Sequence, residues 1–448
     1  MNEEKTAGIN ELGKNTGIST CITTCEKNIN NQSKLPQERK EANKIKEDIH
    51  TSITPETIQE KNYDNTLQTI KALEEQENDL FASYYLNIAK EFLPNEIVSD
   101  DNFNEIQQIS RLFPNNLTTF LGFETRLAET SNRADFAFAI SGIGNDRDIL
   151  KDLFINKNFR QFLEYSEWQQ ISNFANEWSN KESELNDKIQ CFWLEFDMPE
   201  KAPTSPLPSV FFGPSKIAKN KSKGKDPYKW ITDLAIPLLK GQKTSKKISD
   251  LINDSISKMP DNGTIFQIGT MLSRKINAIR IHINKLRPDQ IVPYLKDIGL
   301  NYDTSELEKY LKEFEELADR FVVSFDITEN GIGDKIGIEL SFISNDFNNI
   351  ERWGKLLDYL VEKNMCLPEK KEALIKYSSV EEETVINGAI MRPIASATLY
   401  ENDLTKSNVV RYINHIKIVY KPGKQIIAKA YPALRLFENE KTQSKMMN

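Results

Sequence analysis

The sequence predicts an α+β fold in which ten antiparallel strands close into a barrel surrounded by helices. Three observations lead to this prediction: strands come in five pairs, roughly two helices precede each pair, and each strand is apolar on one side and polar on the other. Successive side chains of a strand point to opposite faces, so the apolar faces need a covering of helices. Closing five such repeats puts the helices outside and leaves a polar lumen that can hold a ligand. The alternative is two α+β domains whose open sheets expose their polar faces to water.

The repeat is clearest between residues 263 and 342. In the strand at 279–284 the isoleucines occupy one face, whereas Arg280, His282 and Asn284 occupy the other. Two helices and a hairpin follow, at 288–299, 305–318, 321–327 and 335–342. The turn of that hairpin contains two glycines, as a tight turn needs.

The other elements are predicted from the same two patterns, in chain order. Apolar residues at helical spacing predict helices at 80–92, 103–113, 146–154, 158–188 with a possible break near Tyr165, 228–240, 246–259, 348–363 and 368–377. Alternating apolar and polar residues predict strands at 121–127, 135–141, 190–197, 209–213, 264–274, 277–285, 414–421 and 425–436.

Residues 1–75 have a different composition from the rest of the chain. They are rich in Asn, Lys, Glu, Ser and Thr and contain few large apolar residues. Such a segment cannot bury enough apolar surface to offset the entropy lost on ordering. We therefore predict a disordered polar tail at 1–75 and a single barrel domain at 76–448.

Composition and charge exclude several classes of function. The net charge of -8 argues against nucleic-acid binding, because phosphate neutralisation needs a basic face. No apolar run approaches the ~20 residues of a membrane-spanning helix, and the acidic start differs from a signal peptide, so the predicted location is cytoplasmic. The four cysteines form no CxxC pair and the three histidines show no zinc-site spacing, so no metal site is predicted.

The element order and the polarity of the strand faces resemble the aromatic prenyltransferase family over residues 78–437. In that family αββα units close into the barrel known as the ABBA or PT barrel. The resemblance implies a metal-independent transferase of natural-product biosynthesis, without a cofactor. Such an enzyme moves an isoprenoid from its diphosphate to an aromatic small molecule or peptide.

The resemblance also implies that Lys and Arg side chains from several strands hold the diphosphate. Arg126, Arg280, Lys417 and Lys429 fall on predicted lumen faces in three of the repeats, and Lys335 and Lys421 lie near strand ends. A diphosphate carries about three negative charges, so a metal-free site needs several converging cations.

The roles of four further residues follow from the same resemblance. Glu124 on the first strand pair is the candidate for the acidic residue that orients or deprotonates the acceptor. Trp193 and Tyr431 are predicted to flank the allylic cation, because π faces stabilise a cation without reacting with it. His282 accompanies Arg280 where the family alternates a basic residue with Lys or Tyr.

The residues leave one alternative function open. Glu195, Asp197, Asp326 and Glu339 also fall on predicted lumen faces, so the lumen is nearly as acidic as it is basic. A mixed lumen with few tyrosines suits a non-catalytic accessory protein that captures a peptide or a small zwitterion. Glu124 and Arg126 could also pair only with each other.

Overall fold

The computed structural model of the chain describes residues 82–114, 117–118, 120–142, 145–199, 206–215, 228–274, 276–343, 349–378 and 407–438. The predicted polar tail at 1–75 lies outside these residues.

The described chain contains ten strands that form one closed barrel. In sequence order they are β1 Phe120–Arg126, β2 Ala134–Ser141, β3 Ile189–Phe196, β4 Pro208–Pro214, β5 Thr264–Thr270, β6 Ile279–Asn284, β7 Arg320–Thr328, β8 Gly331–Ser341, β9 Ser407–Tyr420 and β10 Ile427–Glu438. Each strand pairs antiparallel with the strands before and after it, and β1 pairs with β10 to close the ring. The predicted fold class is confirmed, and the open-sheet alternative is wrong.

Helices precede each hairpin of the barrel. They are α1 Ser83–Lys90, α2 Asp100–Ser110, α3 Asp146–Leu153, α4 Lys157–Arg160, α5 Ser166–Ser179, α6 Glu184–Lys188, α7 Ile236–Lys240, α8 Lys246–Ser257, α9 Pro288–Asp297, α10 Ser305–Glu315, α11 Ile350–Glu362 and α12 Pro368–Tyr377. No helix within these described segments is long and apolar enough to cross a membrane.

Two predicted helices are shorter than the sequence pattern suggests. The helix predicted at 158–188 has the break predicted near Tyr165, whose extended backbone separates a 3-10 turn from α5, and a second, unpredicted break at Asn180 separates α5 from α6. The helix predicted at 228–240 contains a π-helical turn at Ile231–Ala235 before α7 begins. Pro237 follows this turn and has no N–H to donate, so the regular helical hydrogen-bond ladder cannot continue through it.

The hydrophobic core lies between the outer face of the barrel and the helices. On β7, for example, Val323, Phe325 and Ile327 are buried and belong to the same apolar cluster as Leu311 and Phe314 of α10. The residues between them on β7 point to the lumen instead. Burying the apolar face of every strand in this way leaves the polar faces to line the interior, as the alternation predicted.

One buried lysine joins the outer layer to the barrel. Lys370 of α12 is 1% exposed, and its Nζ donates hydrogen bonds to the carbonyl oxygens of Arg126, at 2.7 Å, and Ser131, at 2.8 Å. These carbonyls lie at the end of β1 and in the segment that leads to β2. The lysine therefore satisfies two backbone acceptors where the chain leaves the barrel wall and fixes the end of β1 against α12.

Candidate active site

The barrel lumen contains a cavity of about 230 Å³ to which all ten strands contribute residues. Seven of the eight site residues predicted from the sequence line it, namely Glu124, Trp193, Arg280, His282, Lys417, Lys429 and Tyr431. The strands bring these side chains together although the chain separates them by up to about 300 residues. The barrel is thus the element that creates the site.

Arg126 is the predicted site residue that does not line the cavity. It lies at the last position of β1, its side chain is 43% exposed, and its Nε is 3.7 Å from an oxygen of Glu129. The alternation assigned the correct face, but the strand ends at this residue and the side chain turns to the rim. The pairing of Arg126 with Glu124 does not form either.

The two ends of the lumen differ chemically. β1 runs from Phe120, which is paired with Arg435, to Arg126, which is paired with Lys429. The charged end holds Glu124, Asp135, Glu195, Arg274, Arg280, Lys335 and Lys429, whereas the aromatic end holds Phe120, Phe266, Phe342, Trp353 and Tyr412 together with Arg320 and Arg435. The guanidinium groups of these two arginines lie against the rings of Phe266 and Phe120. A ligand with an anionic head and an apolar or aromatic body matches this division.

Glu124 is held by two neighbours on β10. One carboxylate oxygen accepts a hydrogen bond from Lys429 Nζ and the other accepts one from the Tyr431 hydroxyl. Burial raises the pKa of Glu124, but the charge of Lys429 and these hydrogen bonds outweigh burial and hold the pKa well below its usual range. Glu124 is therefore a fixed negative charge at the charged end.

A second buried group surrounds Glu339 of β8. Lys417 Nζ donates to Glu339 Oε1 at 3.1 Å, and His282 Nε2 is 3.5 Å from the same oxygen and from Lys417 Nζ. His415 approaches the other oxygen at 4.0 Å and stacks on Tyr431 with ring centroids 4.0 Å apart. Burial lowers the pKa of both histidines, that of His415 to about 4, so the two rings are neutral at pH 7.

Two arginines of the charged end are fully engaged by carboxylates. Arg280 forms a bidentate pair with Asp326, with Nε–Oδ1 and Nη2–Oδ2 distances of 2.7 and 3.0 Å. Arg274, beyond the end of β5, does the same with Asp197. The two arginines therefore supply positive charge whose local field is partly neutralised.

Lys335 of β8 differs from the other cations at this end. No carboxylate in the described part of the chain lies within ion-pair distance of its ammonium group. Lys335 is exposed at the mouth of the lumen, but partial burial lowers its pKa to about 8, and the charges of Lys429, Arg280 and Arg274 contribute to this shift. The lowered pKa shows that Lys335 feels the positive charge of its neighbours. An anion bound between these cations would be attracted by all of them.

Two carboxyl groups of the charged end have pKa values above their usual range. Burial raises the pKa of Glu195 to about 7, and the charge of Glu124 adds to the shift. Burial raises the pKa of Asp135 to about 6, although its Oδ1 accepts a hydrogen bond from the Met198 amide at 2.8 Å. These groups change protonation state near neutral pH, unlike Glu124.

The aromatic end is lined by rings that touch one another. Trp193 packs edge-on against Phe120 at 5.0 Å, and Phe342 packs edge-on against Trp353 of α11 at 4.6 Å. Phe211 also lines the cavity and lies 5.5 Å from the His282 ring. Ring faces and edges of this kind accommodate an isoprenoid chain or an aromatic acceptor.

The sequence analysis missed three lining residues of chemical interest. His415 has the same parity as Lys417 on β9, so strand alternation alone could have identified it. Asp135 is the first residue of a predicted strand and belongs to the polar face of that strand, so alternation could have identified it as well. Arg274 lies beyond the end of β5, and its side chain donates a hydrogen bond to Asp197. No sequence pattern predicts this contact.

The described residues contain no group of three or more His, Cys, Asp or Glu side chains that could hold a metal ion. The expectation that transfer needs no metal therefore stays a prediction.

Comparison with known proteins gives matches among solved structures alone. No family model and no curated protein matches this sequence. Prenyltransferase PriB in its apo form is 10% identical, with coverage of 79% of this chain and 95% of that chain and a TM-score of 0.44. The 5-dimethylallyltryptophan synthase from Streptomyces coelicolor is 9% identical, with coverage of 80% and 95% and a TM-score of 0.43. A ternary complex of PriB with L-tryptophan and dimethylallyl thiolodiphosphate is 9% identical, with coverage of 79% and 95% and a TM-score of 0.41.

Proposed function

We propose that this chain is a metal-independent prenyltransferase that moves an isoprenoid from its diphosphate to an aromatic small molecule or peptide. The observation that carries the proposal is Lys335, an ammonium group without a carboxylate partner in the described chain, placed among three further cations. These cations lie at one end of the lumen, and the other end is lined mainly by aromatic rings with Arg320 and Arg435 against them. The arrangement matches a prenyl diphosphate in both charge and polarity.

The diphosphate would bind at the charged end. Lys335 has a free ammonium group, whereas Arg280 and Lys429 each give up part of an existing ion pair to contact the phosphates. Lys417 lies beside Lys429 in the strand register and adds charge to the same region. Several cations in a cavity of low dielectric stabilise the charge that develops on the leaving diphosphate. Arg126 is outside the cavity and has no part in this proposal.

The allylic chain would extend from the phosphates toward the aromatic end. As the C1–O bond breaks, the electron pair leaves with the diphosphate and positive charge develops on the allylic carbons. Trp193, Tyr431 and Phe211 offer π faces that stabilise such a cation, and His282 is a neutral polar neighbour. The closed wall of strands keeps bulk water from the cation.

The acceptor would be oriented by Glu124. The carboxylate stays ionised because Lys429 and Tyr431 hold it, so it can accept a hydrogen bond from an N–H or O–H group of the acceptor. This contact makes the ring more nucleophilic and directs one of its atoms toward the allylic carbon.

A specific observation favours the second candidate, a non-catalytic accessory protein that binds a peptide or small molecule in the same lumen. Arg274, Arg280, Lys417 and Lys429 all have carboxylate partners. A lumen of paired charges suits a zwitterion that exchanges partners with both signs of charge.

Calorimetric titration with dimethylallyl and geranyl thiolodiphosphates, two unreactive donor mimics, distinguishes the two candidates. We expect micromolar affinity without Mg²⁺ and no gain when Mg²⁺ is added. Lys335→Ala and Arg280→Ala should each weaken binding about 30-fold, because each removes a charged contact worth about 2 kcal/mol.

Lys421→Ala is the matched control. Lys421 lies just beyond β9, pairs with Asp334 at 3.0 Å and does not line the cavity, so its loss should leave the affinity unchanged. Absence of binding to both mimics would overturn the transferase proposal and favour the accessory protein. Binding that requires Mg²⁺ would contradict metal independence.

A further inference from the structure

Prenyl transfer to a ring carbon releases a proton, and Glu124 is poorly suited to take it. Both of its oxygens already accept hydrogen bonds from Lys429 and Tyr431. These partners stabilise the ionised form, so protonating Glu124 would require breaking a buried ion pair. A general base works best when its pKa is close to the working pH. Glu124 can orient the acceptor, but another group must receive the proton.

Most other carboxylates of the lumen are engaged as Glu124 is. Asp197 accepts from Arg274 and from Ser273, at 2.9 and 2.8 Å. Asp326 is held by Arg280 and Glu339 by Lys417. Each of these groups is the counter-ion of a cation. Burial raises the pKa of Asp197 and of Glu339, but Arg274 and Lys417 outweigh burial and hold both pKa values below the usual range.

Glu195 has neither a hydrogen-bond partner nor an ion-pair partner in the described part of the chain. It lies on β3 and lines the cavity, with Ala137 and Ser209 as its strand-register partners. Trp193 lies two residues before Glu195 on the same face of β3, so the Cα atoms of the two residues are about 7 Å apart. The carboxylate is therefore next to a ring proposed to flank the allylic cation, and its oxygens are available to a ligand.

The charges that face Glu195 come from several elements. Glu124 of β1 is negative, and Asp135 of β2 lies in the next strand. Lys417 of β9, Arg280 of β6 and Arg274 are positive and favour the ionised form. Burial and Glu124 oppose them, and the pKa of Glu195 is raised to about 7. The group can accept a proton in one turnover and lose it to solvent in the next.

We propose that Glu195 is the base that removes the proton from the acceptor ring. The inference rests on the proposed prenyl transfer. The ring carbon attacks the allylic C1, a C–C bond forms, and the C1–O electron pair leaves with the diphosphate. The C–H bond of the attacked ring carbon then breaks, its electrons restore the aromatic ring, and its proton moves to a carboxylate oxygen of Glu195.

Glu195→Gln tests the proposal with dimethylallyl diphosphate as donor and indole as probe acceptor. Gln has almost the same shape but cannot accept the proton, so we expect kcat to fall about 100-fold. The wild-type kcat should rise with pH around neutrality, and the variant should lose this dependence. Ring-deuterated indole should slow the variant more than twofold, because loss of the ring proton becomes rate-limiting.

Asp146→Asn is the matched control. Burial raises the pKa of Asp146 to about 7 as well, but Asp146 lies in α3 and does not line the cavity. Its removal should leave kcat, the pH dependence and the isotope effect unchanged. A Glu195→Gln variant that keeps the wild-type rate and pH dependence would overturn the proposal. A merely structural role would lower the rate without an isotope effect and would also overturn it.

Two further measurements separate failure of this inference from failure of the proposed function. If the wild-type protein does not bind dimethylallyl thiolodiphosphate, the transferase proposal fails, and this inference fails with it. If the mimic binds but indole is not prenylated, infrared spectroscopy decides the inference. Because Asp146 also titrates near pH 7, the comparison is made in the Asp146→Asn background. The carboxyl C=O absorbance lost between about pH 6 and pH 8 must become smaller when Glu195→Gln is added to that background; an unchanged loss overturns the inference.

Discussion

Arg280 and Asp326 are direct partners in the register of β6 and β7, and their side chains form a bidentate ion pair inside the lumen. The pair means that a proposed ligand-binding cation already has a permanent counter-ion. An incoming diphosphate must compete with Asp326 for the guanidinium group. The carboxylate therefore limits the affinity of the charged end for anions.

Asp326→Asn should bind dimethylallyl thiolodiphosphate about tenfold more tightly than the wild type, because Arg280 no longer divides its hydrogen bonds. The same change leaves a buried guanidinium unpaired, so the free energy of unfolding should fall by about 3 kcal/mol. Calorimetry and urea unfolding measure the two effects. Asp334→Asn, which removes an exposed partner of Lys421, should change neither quantity appreciably. Equal or weaker binding by Asp326→Asn would contradict the competition.

Arg126→Ala should leave the affinity for the donor mimic within a factor of two of the wild type. Its side chain is at the rim, is 43% exposed and pairs with Glu129 outside the cavity. An exposed pair of this kind contributes less than about 1 kcal/mol to stability. The test is a calorimetric titration beside Lys335→Ala. A loss of affinity as large as that of Lys335→Ala would show that Arg126 contacts the ligand after all.

Glu195→Gln should stabilise the folded protein, and the gain should depend on pH. The pKa of this carboxyl is raised on folding from about 4.5 to about 7, so ionisation of Glu195 opposes folding. Its contribution is favourable below about pH 4.5 and is lost as the pH rises through 7. The variant should therefore match the wild type near pH 4.5 and exceed it at pH 8, by at most about 3 kcal/mol. Urea unfolding at several pH values measures the difference; a constant difference would contradict the assignment.

Gly269→Ala should destabilise the barrel where its strands pair over the shortest length. Gly269 is paired with Phe211 across β4 and β5, and an added Cβ would lie 2.1 Å from the Val210 carbonyl oxygen and 2.3 Å from the Phe211 ring. Backbone atoms cannot move away easily, so we expect a loss of about 3 kcal/mol by thermal or urea unfolding. Gly354→Ala in α11 meets no atom within 4 Å and should instead gain about 1 kcal/mol. A neutral Gly269→Ala would mean that β4 and β5 separate readily.

Strand alternation was enough to predict the barrel and most of its lining. In β6, for instance, alternate residues divide into isoleucines that pack under the helices and Arg280 and His282, which face the lumen. Each hairpin carries this information locally, so no knowledge of distant contacts is needed. All five hairpins need helices against their apolar faces, and this requirement is met when the sheet closes into a ring with every apolar face outward.

The pairing of charges could not be predicted, because it depends on the register between strands. Glu124 appeared in the sequence beside Arg126, yet its partners come from β10. The register of β1 against β10, which pairs Thr125 with Ala430, brings these partners to Glu124, and alternation alone cannot fix that register. The ends of strands were also uncertain, which is why Arg126 was placed inside and Arg274 was missed.

The closure of β1 on β10 also constrains how the protein is made. The carboxylate of Glu124 and the amine of Lys429 are 305 residues apart in the chain. A ribosome that adds roughly 5 to 20 residues per second needs roughly 15 to 60 seconds to travel from one to the other. During that time the edge of β1 has no permanent partner and the lumen is open on one side. We therefore expect the nascent chain to depend on chaperones, or on its own α12, to protect that edge until residues 427–438 emerge.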